Sequence, residues 1–258
     1  REDVQRIFEN DRYLPVGYDT ISAEIFSLDL LENYCFLISG KSRTGKHNCL
    51  KAMMNSAKHK GGELIIIEFN GWKLKKVAED VQALYIDSYE EYMNFMSRFV
   101  PVFQSRNRLK KSLISQGLEE DAVYTQMSKE KPYYIFIADL VEYTKLMHSE
   151  QGVKDNLCGA MANFFDKGFL HNIYFFACMN QDQRADVMGK EVFEKFISGK
   201  AGIHMGGNVA AQRILEFTGM PFGEQTRSEK PGIGLIASTD GHKYHRIVIP
   251  LVKGSTVL

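Results

Sequence analysis

The feature that most constrains this chain is an order of three parts: an apolar run, a glycine-bracketed loop and an amphipathic stretch. NYCFLIS (33–39) feeds GKSRTGKHN (40–48), and Leu50, Met53, Met54 and Ala57 then share one helical face before Gly61 and Gly62. The loop completes the spacing GxxxxGK from Gly40 through Gly45 to Lys46. Strand, loop and helix in this order are what a phosphate-binding loop requires. Successive backbone N–H groups and a helix N-terminus then face the same anion. A glycine pair after the amphipathic stretch is a helix stop.

Three further runs, ELIIIEF, YYIFIADL and NIYFFACM, are apolar without alternation, as strands buried on both faces are. Helical spacing fills the intervals, and 88–117 reads as a helix broken or kinked at Pro101. Strands alternating with helices predict an α/β fold with a mostly parallel, doubly wound sheet flanked by helices. PGIGLIAS and YHRIVIPL, separated by a turn with Asp240-Gly241, predict an antiparallel hairpin at the sheet's C-terminal edge. No repeat, low-complexity tract or linker divides the chain, so 1–258 is expected to form one domain.

Composition narrows the functional classes. The 258 residues carry 32 basic and 32 acidic side chains, a formal net charge of zero. Nucleic-acid binding rests on neutralising phosphates with surplus cations, so this balance argues against it. Cys35, Cys49, Cys158 and Cys178 show no CxxC pairing and sit among apolar neighbours, which predicts reduced, buried thiols. The apolar runs are too short to span a bilayer and nothing resembles a signal peptide, so no segment is expected to insert in a membrane. The chain opens on Arg1 rather than Met, which reads as a piece of a longer protein whose membrane anchor would lie elsewhere.

The loop departs from the pattern where chemistry would start. His47 stands where a phosphate-binding loop places Ser or Thr to hold magnesium, and imidazole is a poor substitute for a hard oxygen ligand. Asn48 could offer an amide oxygen one position too late, and Arg43 replaces the small residue common in mid-loop. A loop kept for its shape and a loop that binds nucleotide both stay open. YYIFIADL ends on Asp139, the position of a magnesium-steadying aspartate. The next residue, Leu140, cannot accept a proton from an attacking water, and nothing promotes Glu142 in its place. ATP is the candidate ligand, magnesium is a poor fit, no other metal site is expected, and hydrolysis is expected to be weak or absent.

Other features have plainer readings. His242 and His245 in HKYH face opposite sides of a strand, which disfavours shared metal ligation. RNRLKK (106–111) reads as a solvated helix face. Trp72 is either a local packing anchor, the simpler expectation, or a contact for another module. The aromatics of VFEKFI and FTGMPFGEQ are read as core or cover residues.

Longer stretches carry a resemblance. LPVGYDTISAEIFSLDLLENYCFLISGKSRTGK resembles the opening of an FtsK/SpoIIIE-type ATPase module, with a lead strand before the loop. IIIEFNGWKL is similar to the second-strand motif of the EccC/EssC ATPases of type VII secretion, and GIHMGGNVAAQRILEF followed by PGIGLI resembles their closing region. The resemblance spans nearly the whole sequence in the family's order. It implies a RecA-like fold and a place, as a C-terminal degenerate module, in a membrane-anchored chain on the cytoplasmic face of a bacterial membrane. It also implies that Gly40, Lys41, Ser42, Arg43, Thr44, Gly45, Lys46 and His47 form the phosphate loop, with Asn48 beside it and Asp139 as the strand-end aspartate. Asn180 or Gln181 falls near the family's polar sensor, although NQDQRADV departs from the usual Ala-Thr-Gln-Arg. Arg213 aligns with an inter-module arginine, while Ala211 replaces its usual acidic companion. The implied partners are the preceding ATPase module of the same chain and small helical secretion substrates. The expected role is binding with little hydrolysis; the alternatives are an ATP-driven protein translocase and, with the charge against it, a DNA pump.

Overall fold

The computed structural model describes residues 10–217, 219–237 and 244–252. Its frame is one ten-stranded sheet in the order β2-β1-β10-β9-β8-β3-β7-β6-β4-β5. The strands are β1 (Tyr13–Asp19), β2 (Ile25–Asp29), β3 (Cys35–Gly40), β4 (Glu63–Ile67), β5 (Leu84–Ile86), β6 (Tyr133–Ile137), β7 (Ile173–Asn180), β8 (Gly202–Gly207), β9 (Glu229–Ala237) and β10 (Tyr244–Val248). From β8 to β5 every neighbouring pair is parallel; β9, β10, β1 and β2 continue the sheet in antiparallel pairs. The antiparallel edge expected from sequence is present and wider than expected. The β9–β10 hairpin is followed by β1 and β2, so it does not itself form the sheet's boundary. Its turn, with Asp240, Gly241 and His242, lies outside the described residues.

The helices are α1 (Lys46–Lys60), α2 (Lys75–Val81), α3 (Tyr89–Ser115), α4 (Glu120–Met127), α5 (Leu140–Met147), α6 (Glu150–Lys154), α7 (Leu157–Lys167), α8 (Glu191–Ile197) and α9 (Phe222–Thr226). They cover both faces of the parallel strands, which is why those strands are continuous apolar runs. Phe36 and Ile38 face α1, whose Leu50, Met53, Met54 and Ala57 are fully buried against them. Leu37, Ile135, Ile137 and Phe175 point the other way, into a core closed by Phe99, Phe103, Tyr143, Phe165 and Phe193. Burying one such side chain contributes roughly 1.5–3 kcal/mol, so each strand is fixed from both sides.

Two helical expectations change. α3 continues through Pro101 without a break; that residue and Ser97, whose carbonyl loses its helical donor there, are both exposed. The basic run 106–111 is a solvated face only in part: Arg108 and Lys111 are exposed, while Arg106 and Lys110 turn inward. Arg106 is 3% exposed and donates to the carbonyls of His171, Asn172 and Lys131, with its guanidinium 5.1 Å from the centre of the Tyr133 ring. Lys110 donates to the carbonyls of Lys167 and Phe169, and burial lowers its ammonium to about 8. Both cations hold the turn that enters β7. Cys35, Cys49 and Cys178 are buried free thiols, whereas Cys158 is half-buried, its sulfur 3.4 Å from His148 Nε2.

Candidate phosphate-binding site

β3 ends on Gly40, whose φ of +154° suits a residue without Cβ; an added Cβ would stand 2.4 Å from the Met205 carbonyl oxygen of β8. The loop then turns through Arg43, held in the left-handed region at φ +61°, and re-enters helix at Gly45 with φ +101°. A side chain at Arg43's conformation costs about 1 kcal/mol relative to glycine, which explains why small residues are common there. Lys41, Ser42 and Arg43 are exposed. Thr44 Oγ1 and Lys46 Nζ both donate to the carbonyl of Lys41, so the loop is drawn closed over its own lysine. Lys46 is 8% exposed, and burial lowers its ammonium below the ordinary value while Asp139 and Asp182 oppose that shift. An ammonium with three donors and one carbonyl partner has two donors to spare.

Neighbouring strand ends complete the rim. Gly40 pairs in register with Asn180 at the end of β7, and β6 and β4 deliver Asp139 and Glu68 beyond their last residues. Asp139 caps α5: its Oδ1 accepts from the N–H groups of Val141 (2.9 Å) and Glu142 (3.2 Å), while burial raises its carboxyl above the usual range. Leu140 is fully buried, and Glu142 is engaged by Lys145 on the exposed side of its own helix. His47, in the first turn of α1, is half-buried; burial first, and then the nearby Lys73, lower its imidazole so that it is neutral at pH 7. The donors therefore fit polyphosphate, and the ligand set does not fit magnesium: an imidazole replaces the hydroxyl, and one carboxylate oxygen is committed to capping.

The other predicted residues are placed as follows. The carboxamide of Asn48 bonds the backbone at Pro250 (2.8 Å) and Val252 (2.9 Å). Asn180 caps the 3-10 turn Gln181–Asp186 by accepting from the Asp182 N–H at 3.2 Å. Gln181 Oε1 is buried with no partner among the described residues. Arg213 is exposed beyond the turn Val209–Ala211 that follows β8, with no ion pair among the described residues.

Sequence reasoning missed three features. The Glu68 carboxylate is buried and accepts from the N–H groups of Lys73 (3.1 Å) and Leu74 (2.8 Å) and from the Tyr85 hydroxyl (2.9 Å). That clamp fixes the loop carrying Trp72, which is 78% exposed. The expectation of a packing anchor fails, because the clamp and not the indole holds the loop. Phe222 is likewise 78% exposed rather than a cover residue, although Met220, Phe193 and Phe196 are buried as expected. Beneath the loop, Ser39 and His204 are in register on adjacent strands, and Ser39 Oγ and His204 Nδ1 are buried without partners among the described residues. Burial lowers His204 to about 4.

One groove of about 240 Å³ lies between α3 and α7. Val100, Phe103, Ala160 and Phe164 form its apolar floor, and the amides of Gln104, Asn107, Asn156 and Asn163 its rim. His245 bonds Asp19 (3.1 Å) and rests against Phe26; its neighbour in the HKYH motif, His242, lies outside the described residues. Among the described residues no three His, Cys, Asp or Glu side chains gather as metal ligands, and no helix is long and apolar enough to cross a membrane.

This fold, a parallel sheet with an antiparallel extension, is similar to that of solved structures. The cytoplasmic domain of EssC superposes with a TM-score of 0.75 over 94% of this chain and 44% of that one, at 18% identity. The fold is that of the EssC and EccC ATPase modules. EssC ATPases 2 and 3 from Geobacillus thermodenitrificans match with a TM-score of 0.72 at 18% identity, over 97% of this chain and 43% of that one. EccC ATPases 2 and 3 from Thermomonospora curvata, solved in complex with a signal sequence peptide, match with a TM-score of 0.67 at 14% identity, over 94% and 41%. The chain thus spans less than half the length of these EssC and EccC structures. No protein-family model matches the sequence. No curated protein matches it at the level of sequence.

Proposed function

We propose that this chain is one degenerate ATPase module of a type VII protein secretion motor, working mainly by binding, with weak or absent ATP hydrolysis. One observation carries the reading. The strand–loop–helix order that a phosphate loop requires is intact, while the groups that would activate water and hold magnesium are replaced by Leu140 and His47 or, in Asp139, partly spent on a helix cap. Lost positioning of water and metal removes several kcal/mol of transition-state stabilisation. ATP is a ligand of the loop in this reading, and its γ-phosphate is not turned over.

The partners follow from fold likeness together with the groove. The EccC structure from Thermomonospora curvata holds a signal sequence peptide, and the α3–α7 groove has the apolar floor and uncharged rim that suit one face of an amphipathic helix. Small helical secretion substrates and the preceding ATPase module of the same chain are the proposed partners, with no nucleic acid. The module sits on the cytoplasmic face of a bacterial membrane as part of a longer anchored protein.

Steady-state phosphate release tests the catalytic half. Release by the wild type should match that of Lys46→Ala; turnover well above background that Lys46→Ala abolishes overturns it. Fluorescence anisotropy with a labelled amphipathic signal peptide tests the docking half. Binding should be lost in Ala160→Trp, which fills the groove, and binding unchanged in that variant places the peptide elsewhere and sinks this assignment.

A further inference from the structure

We propose that Asn48 is a positioning residue of the phosphate loop, tying the segment after β10 to the first turn of α1 and thereby fixing the direction in which the loop's donors point. Asn48 Nδ2 donates to the Pro250 carbonyl at 2.8 Å, and the Val252 N–H donates to Asn48 Oδ1 at 2.9 Å. The partners lie 202 and 204 residues away in sequence. A carboxamide presents donor and acceptor side by side, as the edge of a strand does, and here it pairs with a carbonyl and an N–H two residues apart. Asp would lose the donor, and Ser or Thr would lose the reach to engage both groups.

The tie closes a circuit. The Thr44 carbonyl accepts from the Gly232 N–H at 3.0 Å, and the Gly232 carbonyl accepts from the Ile249 N–H at 2.9 Å. From Ile249 the chain reaches Pro250 and Val252, which bond Asn48, and α1 leads back to Gly45 and Thr44. The loop is packed backbone against backbone on this wall: a Cβ on Gly45 would stand 3.2 Å from the Gly232 nitrogen, and one on Gly40 2.4 Å from the Met205 oxygen. Among the described residues, the loop's own side chains supply only the bonds of Thr44 and Lys46 to the Lys41 carbonyl. Its shape is therefore set from outside, by the C-terminal antiparallel strands, and Asn48 is the side chain that completes the connection.

Hydrogen exchange on the full chain without ligand tests this directly. In Asn48→Ala the amides of residues 41–47 should exchange about tenfold faster, while those of β4 and β6 keep their protection. Val252→Pro removes the N–H that Asn48 accepts and leaves Asn48 itself intact; it should reproduce the loop effect from a distance. Calorimetric titration with inorganic tripolyphosphate adds an affinity readout, expected to weaken about tenfold in both variants. Unchanged exchange at 41–47 in both variants, even with a lowered melting temperature, overturns the proposal and leaves Asn48 as simple glue. Only the affinity arm rests on the loop being a phosphate site. A wild type that fails to bind tripolyphosphate removes that reading, while the exchange result still decides the role of Asn48.

Discussion

Two buried cations stand at opposite ends of the parallel strands, and their bonding differs in kind. Arg106, at the N-terminal ends, donates to three backbone carbonyls around the entries to β6 and β7. Lys46, at the C-terminal ends, donates to one carbonyl of its own loop and keeps two donors unspent. Backbone polarity explains the contrast. Where parallel strands begin, chain entries leave carbonyls that need donors; where strands end and helices begin, N–H groups face outward and need acceptors. A cation at the first end is a staple. A cation at the second has donors left over for an anion.

The contrast is sharpest in stability. Arg106→Leu leaves three backbone carbonyls at the entries to β6 and β7 without that donor and should cost about 4 kcal/mol in urea unfolding followed by circular dichroism. Lys46→Ala should cost under about 1 kcal/mol, since a single intraloop bond is lost. Equal losses would break the comparison and make Lys46 a staple too.

Acid should act on both ends at once. His171 beside Arg106 and His204 beneath the loop are both held near pKa 4 by burial, well below the ordinary value of 6.5. The folded state binds their protons less readily than the unfolded chain does. Their stabilisation is therefore complete above about pH 6.5 and is lost as pH falls toward 4, on the order of 2 kcal/mol for each. His171→Phe, which keeps the stack on Phe103, should remove about half of that slope between pH 6.5 and 4. A slope unchanged by His171→Phe and by His204→Leu would assign it to other groups.

Smaller effects probe the loop end alone. Lys46→Ala should weaken tripolyphosphate binding by roughly thirtyfold in calorimetry, about 2 kcal/mol for a charge-assisted bond. His47→Thr with Arg43→Gly should strengthen ATP binding about tenfold, by adding an oxygen ligand and relieving the left-handed strain at residue 43. His47→Thr alone should help only when magnesium is present. No gain from the double change would mean that the pocket is closed elsewhere. Smallest of all, Trp72→Ala should alter stability by less than about 0.5 kcal/mol, because the Glu68 clamp holds its loop.

Much of this fold was legible because its signals are local. Burial on both faces leaves β3, β4, β6 and β7 as unbroken apolar runs, and the loop announces itself by spacing. The parts that were not legible depend on distant partners. β1 pairs with β10 through Tyr18 and Val248, at opposite ends of the chain, so nothing near β9 marks the two strands that lie beyond its hairpin. Pro101 reads as a helix break until its exposure is known, and RNRLKK reads as a solvent face until carbonyls are found waiting for Arg106. Within the site, the substitutions at His47 and Leu140 were visible as residue types. That Asp139 is occupied as a cap, and that Asn48 belongs to the backbone of 250–252, depended on contacts the sequence does not spell.

The exposure of Trp72 has an optical consequence. It is the chain's single tryptophan, and it already meets water in the folded protein. Its emission should lie near the wavelength of a free indole and shift little as the core melts, so fluorescence will under-report denaturation here. The same ring, held on a clamped loop at the rim, should shift to the blue when another surface covers it. This molecule is nearly silent about its own collapse and well equipped to signal contact.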